Sequence, residues 1–589
     1  MRLPLSTASS PVDNPVQPEK DKTVFVASLA VAVLVGFFLR NYLLKDQIFA
    51  DDEWHGFYYA IGKSPFWLFT HFSIPGATCI PLNLYGWALG VTFGWSEILL
   101  RLPSLICGIL CVLVCPLLAR DLIGTRRAAW LALLLAVSPQ LIFYSRISRP
   151  YSAVAFFGFA SILYAARWAQ FGGWRSAILF VITGILAVYF HLFAVVTVVA
   201  PILAAIIYHL YLRLSGKTAQ WVSPPLQVWL IAGAVIAVAS AVLLLPAMIY
   251  SMRSTFFTIA LAGTFRLQSL PRVVMFLAGS AQLLVMLLFL AAVLAGAIQQ
   301  CRRNPWFGWM LVSLYPLHVV ALLISRPDAA QSAVVLVRYS IQLVPVSLLF
   351  AACGIQAALE AIAARVAFRP ILQTSIAFAC VAALVLAGPL PQAYATPNNF
   401  TSHGAYQHRY EPIDWSHSFS SDMAPIGYNV RTAMRADEVS PFYKMLRNEP
   451  GDRPIVEYPM LIGDHFNPLY YYQYFHRRPV IVGYAMDVLT AKGLAAGNIY
   501  GNTYIDQVLS FTTLFHEESR LHFRNLVSME DLNTMRARHV EYIVIHKHYE
   551  AELPEVALPL PEAFGFYTEY RKKIGPPFYE DGNIAVFKL

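Results

Sequence analysis

Charge is what this sequence has least of. Only 13% of its 589 residues are Asp, Glu, Lys or Arg, and 57% are hydrophobic; soluble domains carry about 25% charged residues. Together with a mean hydropathy of +0.54, this excludes an ordinary soluble domain and identifies an integral membrane protein. The net charge of +9 would suggest nucleic acid in a soluble chain. Here it reads as loop bias or affinity for an anionic lipid substrate, and no nucleic-acid partner is expected. Cysteine is also scarce. None of the seven lies beyond Cys380, so the C-terminal region is not a disulfide scaffold. Cys107, Cys111 and Cys115 recur at helical spacing without an interleaved His or acid, and read as one small apolar helix face rather than a metal site. Residues 394–589 hold no spanning run, no GxGxxG and no P-loop. The first apolar run is too long for a signal-peptide core and no small-residue cleavage site follows it, so it reads as a first spanning helix.

Apolar runs are what the sequence has in quantity. A helix needs about 20 apolar residues to cross a bilayer. Such runs lie near 23–44, 96–118, 127–144, 150–168, 175–191, 192–212, 226–250, 272–299, 305–325, 334–360 and 370–393, which gives about 11 spans. Residues 1–22 are polar and Pro-rich and read as a disordered cytoplasmic lead-in. With that end inside, the inner loops "ARDLIGTRR", "RWAQFGGWR", "RLSGK", "CRRN" and "ARVAFR" each carry at least two Lys or Arg, as the positive-inside rule expects. The spans and the long outer loop 45–95 form one unit, 23–393. The tail, 394–589, then lies outside. Its segments "RPIVEYP", "RPVIVGY", "VEYIVIHK" and "NIAVFKL" read as short strands and "SPFYKMLRNEP" and "SMEDLNTMRARH" as helices, which makes a periplasmic α/β domain.

Three constellations sit on the outer face. "FADDEWHGFYY" places Asp51, Asp52 and Glu53 after the first span. Trp54, Phe57, Tyr58 and Ile61 follow at helical spacing and predict a short interfacial amphipathic helix. Asp51 suits the start of that helix, but three consecutive acids exceed what capping requires. "SPQLIFYSRISRPYS" sets Arg146 and Arg149 beside Tyr144 and Tyr151, and "LVRYSIQLVP" puts Arg338 and Tyr339 at the mouth of a late span. Guanidinium forks bind phosphate oxygens two at a time, and interfacial snorkelling with Tyr anchors is the structural alternative. An acid can take a proton from a hydroxyl and arginines can stabilise a departing phosphate. Glycosyl transfer from a lipid-phosphate sugar needs both.

The order of these features resembles the GT-C membrane glycosyltransferases, and within them the family-39-like enzymes related to protein O-mannosyltransferases and the lipid A aminoarabinose transferase. Asp52-Glu53 matches the Asp-Glu pair after the first span, "CIPLNLY" with Pro81 the Pro-Pro-Leu-Tyr stretch, and "FGWSEILLRLPS" (93–104) the pattern around Arg101. "SPQLIFYSRISRPYS" matches the Ser-Arg-Glu-Ala-Arg-Pro-Tyr stretch, and Arg338, Tyr339 and Pro345 the late Arg-Tyr. The match is best over 49–160 and weak to about 393. Ile147 stands where the family often has Glu, and Cys79 where it has His, so a divalent metal is not supported by the residues present and no cofactor is assigned.

The resemblance implies a mainly α fold, a polytopic helix bundle of GT-C type with the α/β domain appended, in a multi-pass protein of the cell inner membrane. It implies an inverting transferase that moves a sugar from a polyprenyl-phosphate donor to a hydroxyl acceptor on a glycolipid, a cell-envelope polymer or a protein. Asp52 is then the general base and Glu53 orients it or the acceptor. Asp51, Arg101, Tyr144, Arg146, Arg149, Tyr151, Arg338 and Tyr339 bind substrate. The alternatives are a flippase for a lipid-phosphate sugar and an inactive relative acting as a scaffold.

Overall fold

The computed structural model describes residues 19–44, 53, 63–71, 79–93, 96–216, 224–250, 270–280, 282–325 and 338–365. In the remainder it describes 375, 379, 382, 398–399, 432–433, 440–449, 453–458, 476, 478, 529–537, 539–546, 560–582 and 584–589. Asp51, Asp52, the interfacial helix after Glu53, the strand expected in "RPVIVGY" and nearly all of the run 370–393 lie outside the described residues.

The apolar runs fold into helices: α1 (Glu19–Asn41), the short α2 (Pro65–Thr70) and α3 (Ile80–Thr92), α4 (Glu97–Ile123), α5 (Thr125–Val137), α6 (Pro139–Ser145), α7 (Tyr151–Phe171), α8 (Trp174–Phe190), α9 (Val195–Ser215), α10 (Leu226–Tyr250), α11 (Leu270–Ala278), α12 (Leu283–Arg303), α13 (Pro305–Ser325) and α14 (Leu343–Arg365). Among the described residues eight helices are long and apolar enough to cross a membrane, and the bent pair α5/α6 makes a ninth. At 17 residues α8 falls just short. This is a multi-pass helix bundle. Its centre is α7, with 83% of its apolar window buried; its periphery includes α12, with 17%.

Three runs differ from the expectation of continuous helices. The run 127–144 bends by 55° between α5 and α6, where Pro139 has no N–H to continue the ladder and Ser138 is extended. The run 272–299 divides into α11 and α12 at Gly279, which adopts φ +66, a region open to glycine. In the run 334–360, the described part opens with helical Arg338 and Tyr339, and a turn at 340–342 precedes α14 at Leu343. Small residues let the outer helices close on the bundle. A Cβ on Gly296 of α12 would collide with the Phe350 carbonyl, and one on Gly354 of α14 with the Ala292 carbonyl, so these two helices meet backbone to backbone.

The tail holds a four-stranded sheet in the order β3-β4-β6-β5, with β3 Ile455–Tyr458, β4 Tyr542–His546, β5 Tyr579–Glu580 and β6 Ile584–Lys588. Two-residue strands β1 (Asn398–Asn399) and β2 (Thr432–Ala433) pair separately. In the sheet β3 runs parallel to β4, with Val456 opposite Ile543, and β4 antiparallel to β6, with Val544 opposite Val586. One face packs Phe442, Tyr443 and Leu446 of α15 (Pro441–Asn448) onto Ile455, Val544 and Val586. On the other, Tyr570 of α17 (Leu560–Ile574) lies 5.9 Å from the Phe587 ring. Strand alternation points successive residues to opposite faces, which is why both faces need a cover. Helix α16 (Met529–Ala537) precedes β4, and Ser440 caps α15 through Phe442 N–H.

Candidate functional site

Two buried arginines lock the end of the bundle where the acidic loop begins. Arg40, on the last turn of α1, has no exposed surface. Its guanidinium donates to the Leu135 and Ala136 carbonyls at 3.2 and 3.1 Å and to Ser145 Oγ at 3.2 Å. These carbonyls are the ones orphaned by the α5/α6 bend, since the last four C=O groups of a helix lack intrahelical partners. Arg146, at the end of α6, returns the favour: its Nη1 donates to the Leu39, Arg40 and Tyr42 carbonyls at 3.2, 3.1 and 2.9 Å. Arg146 therefore caps α1, the helix of Arg40, while Arg40 caps α5, the helix before that of Arg146. A Cβ on Gly36 would stand 3.3 Å from Arg40 Nη1, and Gly108 opens the space for Ser145.

Glu53 descends from the acidic loop into this frame and is buried. Its two oxygens accept from Arg101 Nε and Nη2, both at 2.8 Å, with neither side chain exposed. Its Oε1 also accepts from the Ser148 backbone N–H at 2.7 Å. The turn 146–150 between α6 and α7 is thereby tied to the loop. Hydroxyls complete the frame: Ser148 Oγ donates to the Leu100 carbonyl at 3.0 Å, Ser104 Oγ to the Arg149 carbonyl at 2.9 Å and Ser152 Oγ to the Ser104 carbonyl at 2.8 Å.

From this frame an aromatic row runs across the bundle. The Arg149 guanidinium carbon lies 5.7 Å from the Tyr151 ring centre, within reach of a cation–π contact. Tyr151 lies 4.8 Å from Tyr144 and 6.1 Å from His191, in the turn between α8 and α9. His191 lies 5.2 Å from Tyr339, which stacks on Phe193 at 4.7 Å. Behind Tyr339, His318 of α13 is held from both sides: Gln342 Nε2 donates to its Nδ1 at 2.9 Å, and its Nε2 bonds Ser340 Oγ at 3.0 Å. That tautomer follows because an amide nitrogen can only donate. The distant stretches 144–151 and 338–342 thus meet through His191. Burial pushes the Cys79 thiol up to about 12, although the Leu82 backbone and Arg149 act in the opposite direction. Burial therefore favours the neutral thiol at Cys79.

The structure assigns different places to the sequence candidates. Glu53, Arg101, Arg146, Arg149, Tyr144, Tyr151, Arg338 and Tyr339 are all buried, and Asp51 and Asp52 lie outside the described residues. Arg101 gives its Nε and Nη2 to Glu53, and Arg146 its Nη1 to the carbonyls at the end of α1. Ile147 packs in the apolar core. Among the described residues no group of three His, Cys, Asp or Glu that could hold a metal occurs. Sequence reasoning missed Arg40, His191, His318 and Ser148. A charged or ionisable residue within or beside an apolar run was the available signal for the first three; the part played by Ser148 is a backbone N–H and leaves none.

No protein-family model matches this sequence, and no curated protein matches it. Solved structures do. ArnT from Cupriavidus metallidurans in the apo state is 13% identical with a TM-score of 0.52, over 96% of this chain and 98% of that one. ArnT bound to undecaprenyl phosphate scores 0.47 at 14% identity, over 95% and 97%. The oligosaccharyltransferase AglB from Archaeoglobus fulgidus, in complex with an inhibitory peptide and a dolichol-phosphate, scores 0.43 at 15% identity, over 89% and 69%. The chain has the GT-C fold.

Proposed function

We propose that this GT-C-fold chain is a glycosyltransferase that takes a sugar from a polyprenyl-phosphate donor. The observation that supports the proposal is the junction of Glu53, Arg101 and Ser148: it holds Glu53, the residue that follows Asp51-Asp52 in sequence, against the turn that leads to Arg149. Asp52 is the general base. It takes the proton of an acceptor hydroxyl as that oxygen attacks the anomeric carbon. The bond from that carbon to the phosphate oxygen breaks, polyprenyl phosphate leaves with the electron pair, and the anomeric configuration inverts. Glu53 positions Asp52 through the Arg101 pair. Arg149 and Arg338 stabilise the departing phosphate, and Tyr144, Tyr151 and Tyr339 line the donor side. The N-terminus is cytoplasmic, the site and the 394–589 domain periplasmic, and the reaction needs no divalent metal.

Incubation of the purified protein with labelled polyprenyl-phosphate sugars tests this reading. Transfer to a hydroxyl acceptor, with release of polyprenyl phosphate, supports it. Tight binding without turnover marks a scaffold, and movement across liposomes without chemistry marks a flippase; either result refutes it.

A further inference from the structure

The turn that joins α8 to α9 opens on His191, whose backbone is extended. Its N–H donates to the Ala187 carbonyl at 3.1 Å and closes α8, while its carbonyl accepts from the Ala194 N–H at 2.9 Å. Its ring caps the turn: Nδ1 accepts from the Phe193 backbone N–H at 3.3 Å. An acceptor at Nδ1 puts the ring hydrogen on Nε2, so His191 is a neutral imidazole with its N–H at the far end of the ring. Capping alone asks for a short acceptor such as Asn, Asp or Ser; the imidazole reaches beyond it.

That outer N–H has no partner among the described residues, and the side chain is half-buried. His318 makes the contrast, for both of its ring nitrogens are bonded. The His191 ring lies 6.1 Å from Tyr151 and 5.2 Å from Tyr339. Tyr151 has the Arg149 guanidinium over its ring, and Tyr339 directly follows Arg338. Arg149 is near enough for its charge to act on His191. The N–H therefore stands on the row that joins two arginine-bearing stretches. A third cation there would be repelled. A neutral N–H is not, and it can donate to an anion that the arginines hold.

We propose that His191 is a further phosphate-binding residue, whose Nε2–H donates to an oxygen of the lipid-linked phosphate received by Arg149 and Arg338. The assignment rests on the reading of this chain as one that binds a polyprenyl-phosphate donor, and not on the transfer step itself.

The test titrates the full chain in detergent with undecaprenyl phosphate and, in parallel, with undecaprenol, which lacks the charge. The wild type is expected to prefer the phosphate. His191→Asn keeps an acceptor for the Phe193 N–H and removes the outer N–H. It should keep the wild-type melting temperature and undecaprenol binding, and bind undecaprenyl phosphate roughly tenfold to a hundredfold more weakly, the worth of one hydrogen bond to a charged group. Undiminished binding of undecaprenyl phosphate by His191→Asn overturns the assignment. An equal loss of undecaprenol binding, or a wild type without preference for the phosphate, overturns it as well. Should His191→Asn not elute as a single species, His191→Gln is compared with His191→Met: both lose the ring, and only Gln offers an N–H. The Gln variant should bind undecaprenyl phosphate roughly tenfold more tightly than the Met variant, and equal binding overturns the assignment. A wild type that shows this dependence on His191 yet transfers no sugar upholds the assignment and refutes the transferase reading.

Discussion

Glu53 and Arg101 face each other fork to fork, two hydrogen bonds of 2.8 Å between side chains that solvent does not reach. Removing one partner leaves the other charge buried and uncompensated, at about 3–5 kcal/mol. Arg101→Leu is expected to lower the melting temperature sharply. Joint replacement, Glu53→Gln with Arg101→Met, is expected to recover much of that loss without recovering transfer, because the Ser148 tie is weakened. Thermal unfolding and a transfer assay on the two variants and the wild type check this. A double variant no more stable than the single one contradicts the pairing.

Arg146 should behave as a helix cap and not as a phosphate ligand. Its Nη1 serves three carbonyls at the end of α1, and a hydrogen bond to a charged group contributes about 1.5–3 kcal/mol. Arg146→Leu is expected to destabilise the protein by an amount in that range and to cut transfer in proportion to folded protein. The donor concentration for half-maximal rate should stay unchanged in the folded fraction. A raised donor requirement at unchanged stability would instead make Arg146 a ligand.

Arg149 and Arg338 should show the opposite pattern. Arg149 lies over the Tyr151 ring, and Arg338 directly precedes Tyr339, which the aromatic row reaches through His191. Arg149→Ala and Arg338→Ala are expected to raise the donor requirement by roughly tenfold to a hundredfold, the worth of one charge-assisted hydrogen bond. Donor titrations of each variant measure it. Unchanged donor dependence removes that residue from the phosphate clamp.

Chelation should not matter. Ile147 packs in the core where the related stretch often carries Glu, and Cys79 is a buried neutral thiol. Transfer is expected to persist at full rate in EDTA. Loss of activity in EDTA, restored by magnesium or manganese, would refute metal independence.

The bundle was legible because a bilayer demands long apolar runs, and length is the plainest sequence signal. The breaks within runs were less so. Pro139 sits in plain view within 127–144, but proline bends some membrane helices and not others; here Arg40 supplies the missing partners that let the bend persist. The matching stretches around Arg101 and Arg149 put acids and arginines on one outer face, yet did not tell which guanidinium groups pair within the protein. That distinction depends on a partner 48 residues away for Arg101 and about 105 away for Arg146, and helical periodicity carries no information at such separations. His191 and His318 went unnoticed for the same reason: each has its meaning only beside Tyr339, Ser340 and Gln342.

Asp52 is the residue on which the account turns. The decisive measurement is transfer of labelled sugar from polyprenyl phosphate by the purified wild type and by Asp52→Asn, each shown to be folded by its elution and melting temperature. The account predicts transfer with release of polyprenyl phosphate by the wild type and none by Asp52→Asn. Undiminished transfer by the variant, or donor binding without turnover by the wild type, would contradict it.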